Sequence, residues 1–65
     1  MNYEDFSKAE QLAIEKFRYS VLKNKELKVF SSSVFAYGYF TALGFDLEQV
    51  KHLARFCNLH NYFSL

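Results

Sequence analysis

The longest stretch of the sequence without a charged residue runs from Val29 to Phe45, and it limits the possible folds more than any other feature. A run of this length is slightly short for a bilayer span, which needs about 20 apolar residues. Three serines, two tyrosines and a threonine also interrupt it. A buried central helix is therefore the better interpretation, and no membrane association is expected.

The segment from Tyr3 to Lys23 is predicted to form the first helix. Its apolar residues recur at spacings of three and four, as on one face of a helix. They are Phe6, Ala9, Ala13, Phe17 and Val21, with Ile14 beside them. Ser7 and Glu10 fit a capping box, while Asn2 is an alternative cap nearer the start.

The uncharged run belongs to a predicted second helix from Leu27 to Leu43 that is apolar on two sides. One stripe consists of Leu27, Phe30, Val34, Tyr37 and Thr41, and the opposite stripe of Val29, Ala36, Tyr39, Phe40 and Leu43. Both faces must pack against other residues. Helices one and three can cover one stripe, but a chain this short has too few other residues to cover the second. We expect that stripe to be a protein-interaction surface. A shorter helix capped by Ser32 or Ser33 is the alternative.

The third helix is predicted from Leu47 to about Cys57. One side carries apolar residues, namely Leu47, Val50, Leu53, Ala54 and Cys57, and the other carries Glu48, Lys51, His52 and Arg55. Residues 58–65 form either a short fourth helix capped by Asn58 or an extended strip across the bundle. In either case Tyr62 and Phe63 are expected to join the interaction surface.

The predicted fold is therefore a single all-α domain over residues 1–65, a small three-helix bundle. At this length folding buries only about 60% of the unfolded chain's surface. The single cysteine, Cys57, leaves no disulfide to supplement the core. Eight phenylalanines and five tyrosines are many rings for so small an interior. Self-association is the simplest way to bury them, so a homodimer is predicted.

The stretch Ala42–Val50 is predicted to be the corner between the second and third helices. Gly44 suits the left-handed residue that ends a helix. Asp46 caps the next helix, with Gln49 completing a capping box three residues later. Phe45 and Val50 stand at the two positions of a hydrophobic staple. Each of these residues has a local structural role.

The same stretch resembles segments of three protein classes. It is similar to the segment after the wing of MerR-type transcription regulators, where it is scaffold. It also resembles the loop of ubiquitin-associated domains, which implies that Leu43, Gly44 and Phe45 contact ubiquitin. A helix-turn-helix has a similar string, but it has a small residue where Phe40 stands. Unrelated families share this string because the same residues end one helix and cap the next. The string therefore identifies none of these families.

The sequence indicates no catalytic or metal site. The serines at 31–33 lie far from either histidine, and no glycine-rich phosphate loop is present. Cys57 and His60 could share a metal with His52 nearby. However, helical spacing turns Cys57 toward the apolar face and His52 toward the polar one. We therefore predict no catalytic residue, no metal and no cofactor, and we interpret Cys57 as a buried structural thiol.

The candidate nucleic-acid contacts lie around the end of helix one and the turn after it. They are Arg18, Lys23, Lys25 and Lys28. Nearby Glu15 and Glu26 dilute this positive charge, and the formal net charge is only +1. A solvated helix end with its usual cations is the favoured interpretation.

The predicted function is non-enzymatic protein binding by a small accessory or inhibitor protein that acts through an aromatic helical surface. The acidic start of the chain does not resemble a signal peptide, so the cytoplasm is the expected compartment. The alternative function is a small DNA-binding transcriptional regulator. It would use helix three or the basic turn after helix one.

Overall fold

The computed structural model describes residues 2–23 and 33–60. They form a short 3-10 turn, Tyr3–Asp5, and three helices: α1 (Lys8–Lys23), α2 (Ser33–Ala42) and α3 (Leu47–Leu59). Within these two ranges there is no strand, so the predicted all-α three-helix bundle is confirmed. None of the described helices combines the length and the apolar character needed to cross a bilayer.

Helix α1 begins at Lys8, so the prediction that it starts at Tyr3 is wrong. Ser7 caps the N-terminus of α1. Its Oγ accepts from the Glu10 backbone N–H at 3.2 Å, and its own N–H donates to Glu10 Oε1 at 2.8 Å. This is the predicted capping box. The residues before it form a separate turn, held by the Gln11 amide, which donates to the carbonyl oxygens of Tyr3 and Phe6 at 3.1 Å each.

The core is made only of apolar side chains from all three helices and the N-terminal turn. Its buried members are Phe6, Ala13, Ile14, Phe17, Val21, Ala36, Phe40, Val50, Leu53, Ala54, Phe56 and Cys57. No polar or charged side chain is buried among the described residues. Aromatic rings link the helices, with Phe6 edge-on to Phe56 at 5.1 Å between ring centroids. Aromatic rings therefore fill much of this small core, because each ring buries a large apolar surface area.

Helix α2 buries the stripe that was expected to lack cover. Ala36 and Phe40 are fully buried, and Tyr39 is half-buried beside them. The other stripe faces outward instead, with Val34 81% exposed and Tyr37 39% exposed. The prediction that Ala36 and Phe40 form an interaction surface is therefore wrong. The physical reason is that α1 and α3 pack on that side of α2, where the larger rings fill more of the core.

Helix α3 extends two residues beyond its predicted end, to Leu59. Asn58 therefore lies within α3 and does not cap a following helix. The His60 ring packs on Phe56 with 4.3 Å between centroids. Several predictions lie outside the described residues: the conformation of the tail 58–65 beyond His60, the roles of Val29, Tyr62 and Phe63, and the part of helix two before Ser33.

Candidate functional site

The corner between α2 and α3 has the geometry that the sequence predicts. Gly44 has a φ of 100°, a region that L side chains rarely adopt. The Gly44 N–H donates to the Thr41 carbonyl at 3.0 Å, and the Phe45 N–H donates to the Phe40 carbonyl at 3.5 Å. These two bonds define a Schellman motif, which satisfies the last carbonyl groups of α2.

Helix α3 starts with the predicted capping box. The Asp46 carboxylate accepts from the Gln49 backbone N–H at 2.9 Å, and the Gln49 side-chain oxygen accepts from the Asp46 N–H at 3.0 Å. Val50 is buried, and Phe45 is half-buried against the same core cluster. The corner is thus fixed by local bonds and packing, and these fix the position of the surface beside it.

An apolar groove lies between α1 and this corner. Its described lining consists of Ala9, Leu12, Ala13, Lys16, Leu43 and Phe45, and its volume is about 200 Å³. Leu12 is 56% exposed and Leu43 44% exposed. Lys16 is the charged member of this lining, so the groove combines an apolar floor with a cationic edge. We call it the corner groove.

The exposed side of α1 continues this surface beyond the corner groove. Leu12, Lys16, Tyr19 and Lys23 follow one another at spacings of four, three and four, which places them on one side of a helix. Tyr19 is 64% exposed, and the Lys23 ammonium lies 5.6 Å from the centroid of its ring. These four residues, here named the α1 face, alternate apolar and cationic side chains.

A second groove lies between α2 and α3 and has a volume of about 370 Å³. Its described lining consists of Tyr37, Lys51, Ala54, Arg55 and Asn58. We call it the α2–α3 groove. Lys51 and Arg55 are four residues apart on α3 and both are exposed, so they stand on the same side of the helix. Among the described lining residues no carboxylate is present.

The predicted protein-interaction residues do not form one surface. Ala36 and Phe40 belong to the core, and the Tyr39 hydroxyl lies 3.4 Å from Ser20 Oγ as a hydrogen-bond acceptor. Leu43 is exposed and lines the corner groove. Of the expected set, Leu43 is thus the described member that stands on an accessible apolar surface.

The predicted nucleic-acid contacts are also divided. Arg18 lies 3.9 Å from Glu15 in an ion pair. Lys23 belongs to the α1 face, and its five-residue separation from Arg18 turns the two side chains to different sides of α1. Lys25 and Lys28 lie outside the described residues. Lys51 and Arg55 of α3, by contrast, stand together on the α2–α3 groove.

Cys57 is fully buried, as the sequence predicts. Burial raises the pKa of its thiol from 9.0 to about 12, because a thiolate is poorly solvated there, and the Arg18 charge opposes this rise. His52 is exposed on α3 with its Nε2 3.9 Å from a Glu48 carboxylate oxygen. Within the described ranges, no three His, Cys, Asp or Glu side chains are grouped to hold a metal ion.

The corner groove was not foreseen from the sequence. Leu12 lies off the regular apolar pattern of α1, and that departure was the available signal. Its proximity to Leu43 depends on how α1 packs against the corner, which no local pattern specifies.

Comparison of the chain with protein-family models, with curated proteins and with solved structures gave no match.

Proposed function

We propose that this chain is a small protein-binding protein without enzymatic activity, and that its binding surface is the corner groove together with the α1 face. The observation that carries this proposal is the exposure of Leu12 and Leu43 on either side of one groove. Exposed apolar side chains that converge on a groove are typical of protein-interaction sites.

The size of the corner groove favours an anchoring side chain over an independent small molecule. Its volume of about 200 Å³ is below the range of roughly 300–1,000 Å³ that is usual for small-ligand sites. The adjoining α1 face is elongated, because it follows a helix for about three turns. An amphipathic helix of another protein would fit both features, with one apolar side chain in the groove.

The charges on this surface favour an acidic partner. Lys16 and Lys23 stand on the α1 face, whereas Glu15, the nearest acidic neighbour on α1, pairs with Arg18 at 3.9 Å. Among the residues that the structure describes, the α1 face is therefore positive where a partner would lie. Carboxylates flanking the anchoring side chain would complement it and favour encounter in the correct orientation. The proposed occupant is accordingly an acidic amphipathic helix.

A homodimer was predicted to bury the many rings and the second stripe of helix two, but Ala36 and Phe40 of that stripe are already buried within one chain. Self-association through the corner groove is therefore one outcome that the test below distinguishes.

The proposed compartment is the cytoplasm. The free, buried thiol of Cys57 supports it, since a single unpaired cysteine is typical of proteins kept under reducing conditions.

The proposal can be tested by selection from a displayed library of helical peptides in which the positions around one apolar anchor vary. We expect the selected peptides to be enriched in aspartate and glutamate. Their binding should be lost in Leu12→Ser and strongly reduced in Lys16→Glu. Lys51→Glu, which changes the same kind of charge on the α2–α3 groove, is the matched control and should bind normally.

Three results would contradict the proposal. The first is a library that yields no acidic enrichment, and the second is binding that is indifferent to Leu12→Ser. The third is a dimer, seen by sedimentation, that Leu12→Ser dissociates, because a second copy would then occupy the groove. Circular dichroism of each variant establishes that its helices are intact.

A further inference from the structure

We propose that the α2–α3 groove binds the phosphate group and the attached base of a nucleotide. This site is separate from the corner groove, and the proposal is independent of the protein-binding function. It rests on the charge, the hydrogen-bonding groups and the size of the groove, which together fit one ligand class.

The cationic side of the groove is formed by Lys51 and Arg55. Residues four apart on a helix have Cβ atoms about 5–6 Å apart, so both cations reach one anion. Neither forms an ion pair with a carboxylate in the part of the chain that the structure describes. Glu48, one turn before Lys51, lies 3.9 Å from His52 instead. Among the described residues these two cations have no acidic partner, so they can meet a phosphate, which an arginine contacts through paired N–H groups.

The remaining polar groups of the lining extend this donor set. The Asn58 amide follows Arg55 by three residues on α3, and Tyr37 adds a hydroxyl from α2. Both groups donate hydrogen bonds, and both also accept them. An organic phosphate presents acceptors on its phosphate oxygens and mixed donors and acceptors on a base. The groove can satisfy both ends of such a ligand.

The apolar parts of the lining favour a ligand larger than a bare phosphate ion. Ala54 is buried at the base of the groove, and Tyr37 is 39% exposed. A partly exposed tyrosine ring is a surface on which a base can stack. The volume of about 370 Å³ falls within the roughly 300–1,000 Å³ that small organic ligands occupy.

The nucleotide can come from two sources, a free mononucleotide or a unit of a single strand. The test titrates the isotope-labelled protein with three probes at low salt: inorganic phosphate, AMP and a single-stranded oligothymidylate. Amide shifts in nuclear magnetic resonance spectra report both the affinity and the place of binding. We expect AMP to bind more tightly than phosphate and to shift the amides of α2 and α3 around Tyr37 and Arg55.

Substitutions in the groove give the decisive comparison. Lys51 and Arg55 are exposed, so their replacement should leave the helices intact. We expect a Lys51→Ala and Arg55→Ala double variant to bind AMP at least about tenfold more weakly. Tyr37→Ala should remove the preference for AMP over phosphate. Lys16→Ala removes a cation from the corner groove and should change the affinity less than about twofold.

The two sources are distinguished by the oligonucleotide. If the strand is the ligand, it binds more tightly than AMP, and Lys51→Ala and Arg55→Ala, each made singly, lower the salt dependence of its binding by about 0.7 units of slope. If AMP binds and the strand binds no better, a free nucleotide is the ligand. The proposal is overturned if wild type binds neither nucleotide, if phosphate binds as tightly as AMP, or if Lys16→Ala weakens binding as much as the double variant.

Discussion

The Phe17 ring of α1 lies 5.3 Å from the Phe40 ring of α2, measured between centroids, with 36° between their planes. Both side chains are fully buried. Phe17 also meets Tyr39 edge-on at 5.7 Å, so one residue of α1 contacts two consecutive rings of α2. This cluster fixes which side of α2 faces the interior.

Phe40→Ala should therefore destabilise the folded monomer. Removal of a fully buried phenylalanine typically costs about 3–5 kcal/mol in free energy of unfolding. That is comparable to the whole stability of a small domain, so we expect little folded protein at room temperature. Leu43→Ala, on the exposed side of the same helix end, is the control and should retain its structure. Thermal unfolding followed by circular dichroism checks both, and a well-folded Phe40→Ala chain would contradict the core described here.

The two glycines of the chain should respond to the same substitution in opposite directions. A Cβ added at Gly38 or Gly44 meets nothing within 4 Å, so crowding does not distinguish the two. Gly44 has a φ of 100°, so Gly44→Ala should lose about 1 kcal/mol or more of stability. Gly38 lies inside α2, where alanine should add about 0.5–1 kcal/mol. Denaturant unfolding of both variants measures the difference, and equal shifts would refute the assigned helix end.

Cys57 should be unreactive in the folded protein. The side chain is fully buried, and burial raises the pKa of the thiol to about 12, so both access and thiolate are lacking. Ellman's reagent is expected to label the native protein slowly and the unfolded protein rapidly. Cys57→Ala should cost about 1 kcal/mol, and Cys57→Ser should cost more because it buries a hydroxyl without an assured partner. Fast labelling of the native state would show that α3 does not hold this residue in the core.

The same raised pKa predicts a loss of stability in alkali. The thiol ionises near pH 9 in the unfolded chain but only near pH 12 in the folded one. Between these values the unfolded state binds fewer protons, so the free energy of unfolding falls as the pH rises. The slope is at most about 1.4 kcal/mol per pH unit, and below about pH 9 this group contributes no dependence. Cys57→Ala shares every other titrating group, so the difference between the two unfolding curves from pH 9 to 11 isolates this effect.

The features that the sequence predicts correctly are those set by neighbouring residues. The capping boxes at Ser7 and Asp46 and the left-handed Gly44 each depend on residues within three or four positions. The burial of Ile14, Phe17 and Val21 follows from the regular spacing of α1. Where such a pattern is interrupted, as at the start of the chain, the predicted helix is too long, because the turn at Tyr3–Asp5 is held by the side chain of Gln11.

The features that the sequence does not predict depend on long-range packing. Two apolar stripes on α2 are equivalent as local patterns, and the packing of α1 and α3 against one side of the helix decides between them. The corner groove likewise joins Leu12 to Leu43 across a wide separation in sequence. The α2–α3 groove was only partly predicted. The pattern of α3 predicts that Lys51 and Arg55 are exposed to solvent, but Tyr37 was assigned to an apolar stripe of helix two and not to a groove beside them.

The Schellman corner also has a consequence for the order in which the molecule assembles. It joins two helices whose contacts are close in sequence, and α2 and α3 pack together more extensively than either packs against α1. Contacts between near neighbours form with little loss of chain entropy, so we expect this helical hairpin to be present in the transition state for folding. Gly44→Ala should then slow refolding, whereas Phe17→Leu, which loosens the docking of α1, should mainly accelerate unfolding. In stopped-flow experiments Gly44→Ala would lower the folding arm of the chevron, and Phe17→Leu would raise the unfolding arm.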